Sequence, residues 1–286
     1  MLKPPYTVTL PPTRTTSVVF ASPHSGRDYS RTFLRRSILD AQTIRTSEDA
    51  FIDQLFAAAP DLGAPLLAAN APRAFLDLNR GAEELDPALI KGIAKSGRNP
   101  RVTSGLGVIP RVVANGREIY RGKMPLGEAQ TRLREFWFPY HRKLQALLDE
   151  SMGLFGQAIL IDCHSMPHEA IDFLCKGKSK KPEIVLGDRF GAAAGEDVMD
   201  RIEAAFSGAG FQVARNKPFA GAYTAQHYGR PARGQHVVQV EIDRALYMDE
   251  RAITPNGNFQ ALHNTLTQIM AELADIGRPE LPLAAE

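Results

Sequence analysis

Only two cysteines, Cys163 and Cys175, occur in the 286 residues, too few for the disulfide framework on which small secreted domains depend. They can pair with each other, but reduced thiols in a cytosolic protein are the simpler reading. No run approaches the roughly 18 uninterrupted apolar residues of a membrane-spanning helix. The first twenty residues hold four prolines and no apolar segment ahead of a small-residue cleavage site, so no secretory signal is expected either. Charge of one sign is also lacking: 34 basic and 32 acidic residues leave a net +2, which gives no electrostatic basis for a nucleic-acid partner or an acidic tail. No glycine-rich loop closes on Lys-Ser or Lys-Thr, Gly187-Asp188-Arg189-Phe190-Gly191 is not a dinucleotide fingerprint, and neither Ser25 nor Ser165 sits in a Gly-x-Ser-x-Gly elbow. These absences leave local chemistry in a cytoplasmic protein, with no membrane or nucleic acid involved. A homodimer is compatible with them, although nothing specifies an interface.

What is present is a chain with 44% hydrophobic residues, no internal repeat and no linker, long enough for one large α/β domain spanning 1–286. Apolar runs at 17–21, 66–69, 75–78, 158–161, 183–186, 211–214 and 237–242 predict strands. Three- and four-residue apolar spacing predicts helices at 47–59, 127–152, 195–206 and 259–273, the first capped by Thr46 or Ser47 with Glu48 and Asp49 in its first turn. Residues 1–14 read as a surface arm, and 81–122 as a loop-rich excursion over one end of the sheet, with a hairpin at 105–113. The alternation implies a central mixed sheet flanked by helices, whose functional groups collect beyond the carboxyl ends of strands.

Those ends carry His24, Asn79-Arg80, His164 and Glu241. His24 and His164 follow apolar strands in small-residue contexts that let a metal approach, although a histidine there can equally hydrogen-bond a turn. Catalytic zinc usually takes three protein ligands and an open position, and either Glu48 or Asp49 can supply the third. Glu241, on an otherwise apolar strand, suits a general base, or else a salt bridge to Arg244 or another arginine. Asp162 either orients His164 or holds a strand end. His168 either meets substrate or is simply exposed. Arg73 and Arg80 bracket the segment ending in Asn79 and can fork onto carboxylates, which points to an anionic substrate. Arg215 and the loop through Tyr223 offer further groups that can close over a ligand.

The runs Ser22-Pro23-His24-Ser25-Gly26-Arg27, Glu48-Asp49 through Asp53-Gln54-Leu55, Pro72-Arg73 through Asp77-Leu78-Asn79-Arg80, Asp162-Cys163-His164-Ser165-Met166-Pro167, Gly187-Asp188-Arg189-Phe190-Gly191 and Gln239-Val240-Glu241-Ile242-Asp243-Arg244 together resemble the N-formylglutamate amidohydrolase family, in order and over most of the chain. The wider group resembles zinc carboxypeptidases and aspartoacylase-like hydrolases. The resemblance implies a zinc-carboxypeptidase-like (phosphorylase/hydrolase-like) fold, Zn2+ on His24 and His164, and Glu241 as catalytic base. It also implies Arg73 polarising the scissile carbonyl and Asn79-Arg80 binding a substrate carboxylate; Arg244, Arg215, Tyr223 and His168 are further expected substrate contacts from their placement in polar segments alone. The wider relatives carry a ligand glutamate three residues after the first histidine, where this chain has Arg27. The missing ligand then falls to Glu48 or Asp49, with Asp49 narrowly favoured and the exact register left open. The implied reaction is zinc-dependent hydrolysis of N-formyl-L-glutamate to glutamate and formate, closing a histidine-degradation route. Hydrolysis of another N-acyl amino acid, short peptide or cell-wall amide is the nearest alternative, and an inactive scaffold on the same fold is a more distant one.

Overall fold

Seven strands form one mixed sheet: β1 (Tyr6–Thr9), β2 (Val18–Ser22), β3 (Leu66–Ala69), β4 (Ala158–Met166), β5 (Ile184–Gly187), β6 (Val213–Arg215) and β7 (Gln235–Asp243). Their order is β1-β3-β2-β4-β7-β5-β6. The four middle strands β3, β2, β4 and β7 run parallel; β1 is antiparallel at one edge, and β5 joins β7 antiparallel before pairing with β6 in parallel. The computed structural model describes residues 4–94, 99–172 and 181–279. Cys175 lies outside them, and Cys163 is a buried free thiol.

Because side chains alternate along a strand, each central strand feeds two cores. Val18, Phe20, Ile159, Ile161, Val238 and Val240 pack beneath helices Glu196–Gly208 and Phe259–Ile276. Val19, Ala21, Leu160 and Val237 pack beneath helix Phe138–Phe155. Both faces of β4 and β7 are therefore covered, which explains their nearly continuous apolar runs.

Several expectations are corrected by the structure. The arm supplies edge strand β1, satisfying the backbone groups of β3. The helix expected at 47–59 shrinks to Ile52–Leu55, because Phe51 adopts a left-handed conformation (φ 67°) and Pro60 enters a following 3-10 turn. Residues 75–78 form no strand but an irregular stretch between two turns, folded back when Phe75 and Leu76 donate their N–H groups to Pro72 O. The hairpin expected at 105–113 instead pairs Val112 with Glu118, across the sequence Ala114-Asn115-Gly116. The helix expected at 127–152 runs from Leu126 to Phe155 through a π turn at Leu133–Trp137. Pro139 follows that turn and has no N–H for the regular ladder, which accounts for its location.

Candidate active site

Strand parity builds one half of the site. With Ile161, Cys163, Val238, Val240 and Ile242 committed to one core, the opposite face of β4 and β7 presents Asp162, His164, Gln239 and Glu241. The register places Asp162 opposite Gln239 and His164 opposite Glu241. The face is apolar at Leu160 and Val237 and turns polar toward the strands' carboxyl ends, where β4 runs on through His164 to Met166.

Loops build the other half. The chain leaves β2 through Pro23-His24, and Gly26 lies so close to the Asn70-Ala71 backbone that a Cβ there has no room. His24 O accepts the Asp49 N–H (3.0 Å), which ties the first loop to the second. The left-handed turn at Phe51 then frees Asp49 from a helix and leaves its carboxylate buried beside the histidines.

Asp49 Oδ2 lies 3.4 Å from His24 Nδ1 and 3.0 Å from His164 Nδ1. The ligand atoms of His24, Asp49 and His164 all fall within 4.8 Å of one another. Each ring's far nitrogen meets another carboxylate: His24 Nε2 is 2.7 Å from Asp77 Oδ1, and His164 Nε2 is 3.1 Å from Asp162 Oδ2. The Asp77 carboxylate on His24 Nε2 favours a proton there and turns that ring's Nδ1 lone pair inward, as at histidine metal sites. His24 Nδ1 is buried without a hydrogen-bond partner. Burial opposes charge on Asp49, but bonds with His164 and His24 hold its carboxyl well below the ordinary range. Burial likewise opposes charge on His164, yet Asp162 and Asp49 raise its pKa well above the usual imidazole value. The centre is built for positive charge, and two nitrogens plus one carboxylate oxygen fit zinc with a position left open.

Glu241, also buried, accepts a hydrogen bond from Gln239 Nε2 at 2.7 Å. Burial raises its carboxyl above the ordinary range despite the nearby His164 and Arg73. It lines a cavity of about 660 Å3 together with Arg73, Arg80, Gln239 and Arg244. Arg73 Nε donates to Asp77 Oδ2 (3.1 Å), with no other hydrogen bond on its guanidinium among the described residues. Arg80 is anchored through the carbonyls of Leu106 and Asn79, and Trp137 Nε1 donates to Arg80 O. Asn79 accepts the Thr224 N–H and donates toward Gln239.

Other candidates are turned elsewhere. Glu48 forms a two-pronged ion pair with Arg45 (3.0 and 3.1 Å), whereas Asp49 is the carboxylate that reaches the two histidines. Arg215 is held by Asp200 and Glu203 and is not brought to the centre. His168, half exposed, pairs with Asp243 at 2.7 Å. Arg244 spends its nitrogens on Ser165, Asp49 and Thr46 O, so it braces Asp49 at the edge of the cavity. Tyr223, by contrast, stacks on His227 and lines an outer chamber that adjoins the inner cavity. Sequence reasoning assigned no part to Asp77, Gln239 or Arg101. Asp77 stands inside a recognised run, and Gln239 is two residues before Glu241 on the same strand face, which was a usable signal; nothing in the sequence marked Arg101.

Residues 16–248 match the model of a family described as N-formylglutamate amidohydrolase. The chain is 32% identical over 238 residues to an N-formylglutamate deformylase of Pseudomonas aeruginosa, covering 82% of this chain and 83% of that one. It is also 32% identical over 236 residues to the Pseudomonas putida deformylase, covering 82% of each. A crystal structure of N-formylglutamate amidohydrolase from Ralstonia eutropha JMP134 superposes with a TM-score of 0.89 at 32% identity, over 96% of this chain and 98% of that one. A protein from Agrobacterium tumefaciens, 17% identical, shares the fold at a TM-score of 0.68 over 96% of each chain.

Proposed function

The chain belongs to the N-formylglutamate amidohydrolase family, and from that premise we propose that it hydrolyses the formyl amide of N-formyl-L-glutamate, releasing glutamate and formate, with zinc held by His24, Asp49 and His164. The observation that carries this reading is the convergence of those three ligand atoms beside Glu241, which the β4–β7 register sets opposite His164. Cytoplasmic location and a place at the end of histidine breakdown belong to the same reading. Among the described residues, no helix is long and apolar enough to cross a membrane.

Bound zinc would polarise the formyl carbonyl and lower the pKa of water. The chain's own groups do the rest. Glu241, its carboxyl raised by burial, takes a proton from the attacking water and returns it to the departing amine, where a pKa nearer neutrality serves both steps. Gln239 fixes one Glu241 oxygen and leaves the other for that transfer. Arg73, buttressed by Asp77, offers its free guanidinium nitrogens to the carbonyl oxygen as negative charge develops. Asn79 and Arg80, held by Thr224, Leu106 and Trp137, orient the α-carboxylate. The test is formate release from N-formyl-L-glutamate before and after chelation, with zinc added back. Release that stops and returns supports the reading; release indifferent to chelation removes the metal, and none under any condition removes the substrate.

A further inference from the structure

N-formylglutamate carries two carboxylates, and the reading above assigns only one. Beyond the inner cavity lies an outer chamber of about 650 Å3, continuous with it through Arg80, Arg101, Gly221 and Ala222, which line both. Four arginines line it: Arg80 and Arg230 are tied to backbone carbonyls, whereas the guanidinium groups of Arg101 and Arg189 have no hydrogen-bond or ion-pair partner among the described residues.

Each stands on a built support. Asn99 caps the short helix Pro100–Thr103 by accepting the Arg101 and Val102 N–H groups, and its Nδ2 donates to Glu84 Oε2 at 2.9 Å. Glu84 also accepts the Gly81 N–H, so one of the two acids lining the chamber is already engaged; the other, Glu83, is exposed. Arg189 sits in the run Gly187-Asp188-Arg189-Phe190-Gly191, to which the proposed reaction assigns no part. Its backbone is left-handed (φ 57°), a conformation that strains a non-glycine residue. Asn216 holds it there: Oδ1 accepts the N–H groups of Asp188 and Phe190, and Nδ2 donates to Asp188. Gly187 meets the backbone of Phe219, Ala220 and Gly221 too closely for any Cβ, and the Arg189 stem reaches Gly221. Strain of this kind persists where surrounding structure enforces it, and here it leaves a guanidinium on the chamber wall.

We infer that Arg101 and Arg189 form the subsite for the substrate's side-chain carboxylate, two methylene groups beyond the α-carbon held near Arg80. The inference rests on the proposed function and gives it its selectivity: dicarboxylic N-formyl amino acids over neutral ones. Arg101 lies near enough to Arg80 for their charges to oppose each other, a repulsion that a bound dianion relieves. Unpaired guanidinium groups accept a carboxylate without first breaking an internal ion pair.

The test uses zinc-supplemented full-length protein carrying Glu241→Gln to block turnover, with N-formyl-L-glutamate and N-formyl-L-glutamine titrated calorimetrically. Losing a charge-assisted hydrogen bond implies about a 10- to 100-fold weaker binding of N-formyl-L-glutamate after adding either Arg101→Gln or Arg189→Gln. Binding of N-formyl-L-glutamine should stay within about 3-fold and also reports that each variant is folded. A preference for the dicarboxylate that survives in either variant, equal losses for both ligands, or no preference in the parent overturns the subsite. Formate release by unmodified protein is measured alongside. Release without discrimination sinks the subsite and spares the reaction, while discrimination without release does the reverse.

Discussion

The site has a strand-borne half and a loop-borne half, and the two are held by different means. His164, Asp162, Gln239 and Glu241 ride on β4 and β7, where register and parity leave them one arrangement. His24, Asp49 and Asp77 come from segments with little regular structure, each positioned by particular bonds: Asp49 N–H to His24 O, Arg244 to Asp49, Arg73 to Asp77. A strand residue can therefore be changed with mainly chemical consequences. A loop residue carries both chemistry and the local fold.

The largest effect should come from the strand half. Glu241→Gln is expected to lower kcat by about 10²- to 10⁴-fold, the usual worth of a general acid–base, with the melting temperature essentially unchanged, because the amide conserves shape. A melting temperature that drops with the rate would mean Glu241 serves packing. In the loop half, Asp49→Asn should abolish tight metal binding and destabilise the fold together, since it leaves Arg244 buried with its partner neutralised, a loss of about 3–5 kcal/mol. Denaturant titration of chelated protein isolates that part, and unchanged stability there would break the contrast between the halves.

Next in size is a pH effect on the support beneath Asn79–Arg80. His141 bonds Leu78 O and Tyr228, and burial, reinforced by His227 though opposed by the Leu78 carbonyl, lowers its pKa to about 3. Below its ordinary value near 6.5, the unfolded chain takes up a proton that the folded chain refuses. Stability therefore falls between about pH 6.5 and 3, by on the order of 4 kcal/mol. Relative to wild type, His141→Gln should flatten that slope, and parallel curves would rule out His141 as its source.

Asp77→Asn should weaken zinc binding about 10- to 100-fold, the ordinary cost of losing a carboxylate behind a ligand histidine, as read by competition with a chelator. The smallest effect is reserved for Glu48→Gln, within about 3-fold in metal affinity, because that carboxylate faces Arg45. A loss comparable with Asp49→Asn would reverse the ligand assignment.

Legibility followed the same division. His164 and Glu241 could be read from apolar runs ending in polar residues, and their facing positions followed from parity. The second half obeyed no period. Phe51, Ile52, Leu55, Phe56 and Ala59 have helical spacing, yet the chain turns left-handed at Phe51, since backbone bonds to the first loop outweigh propensity for so short a segment. Arg215 was a sequence candidate and Arg101 was not, yet the structure reverses their standing. Acidic neighbours on helix Glu196–Gly208 claimed Arg215, whereas Arg101 was left unpaired at the cavity wall.

The sequence by itself determined the fold class, the family and the pair of histidines with a strand glutamate, because apolar periodicity and short local motifs are properties of neighbouring residues. Only the tertiary structure brought Asp49, and not Glu48, beside the two histidines, paired Arg244 with Asp49, and placed Asp77 behind His24. Each of those outcomes depends on which distant charge reaches a group first once burial has made an unpaired charge too costly to leave.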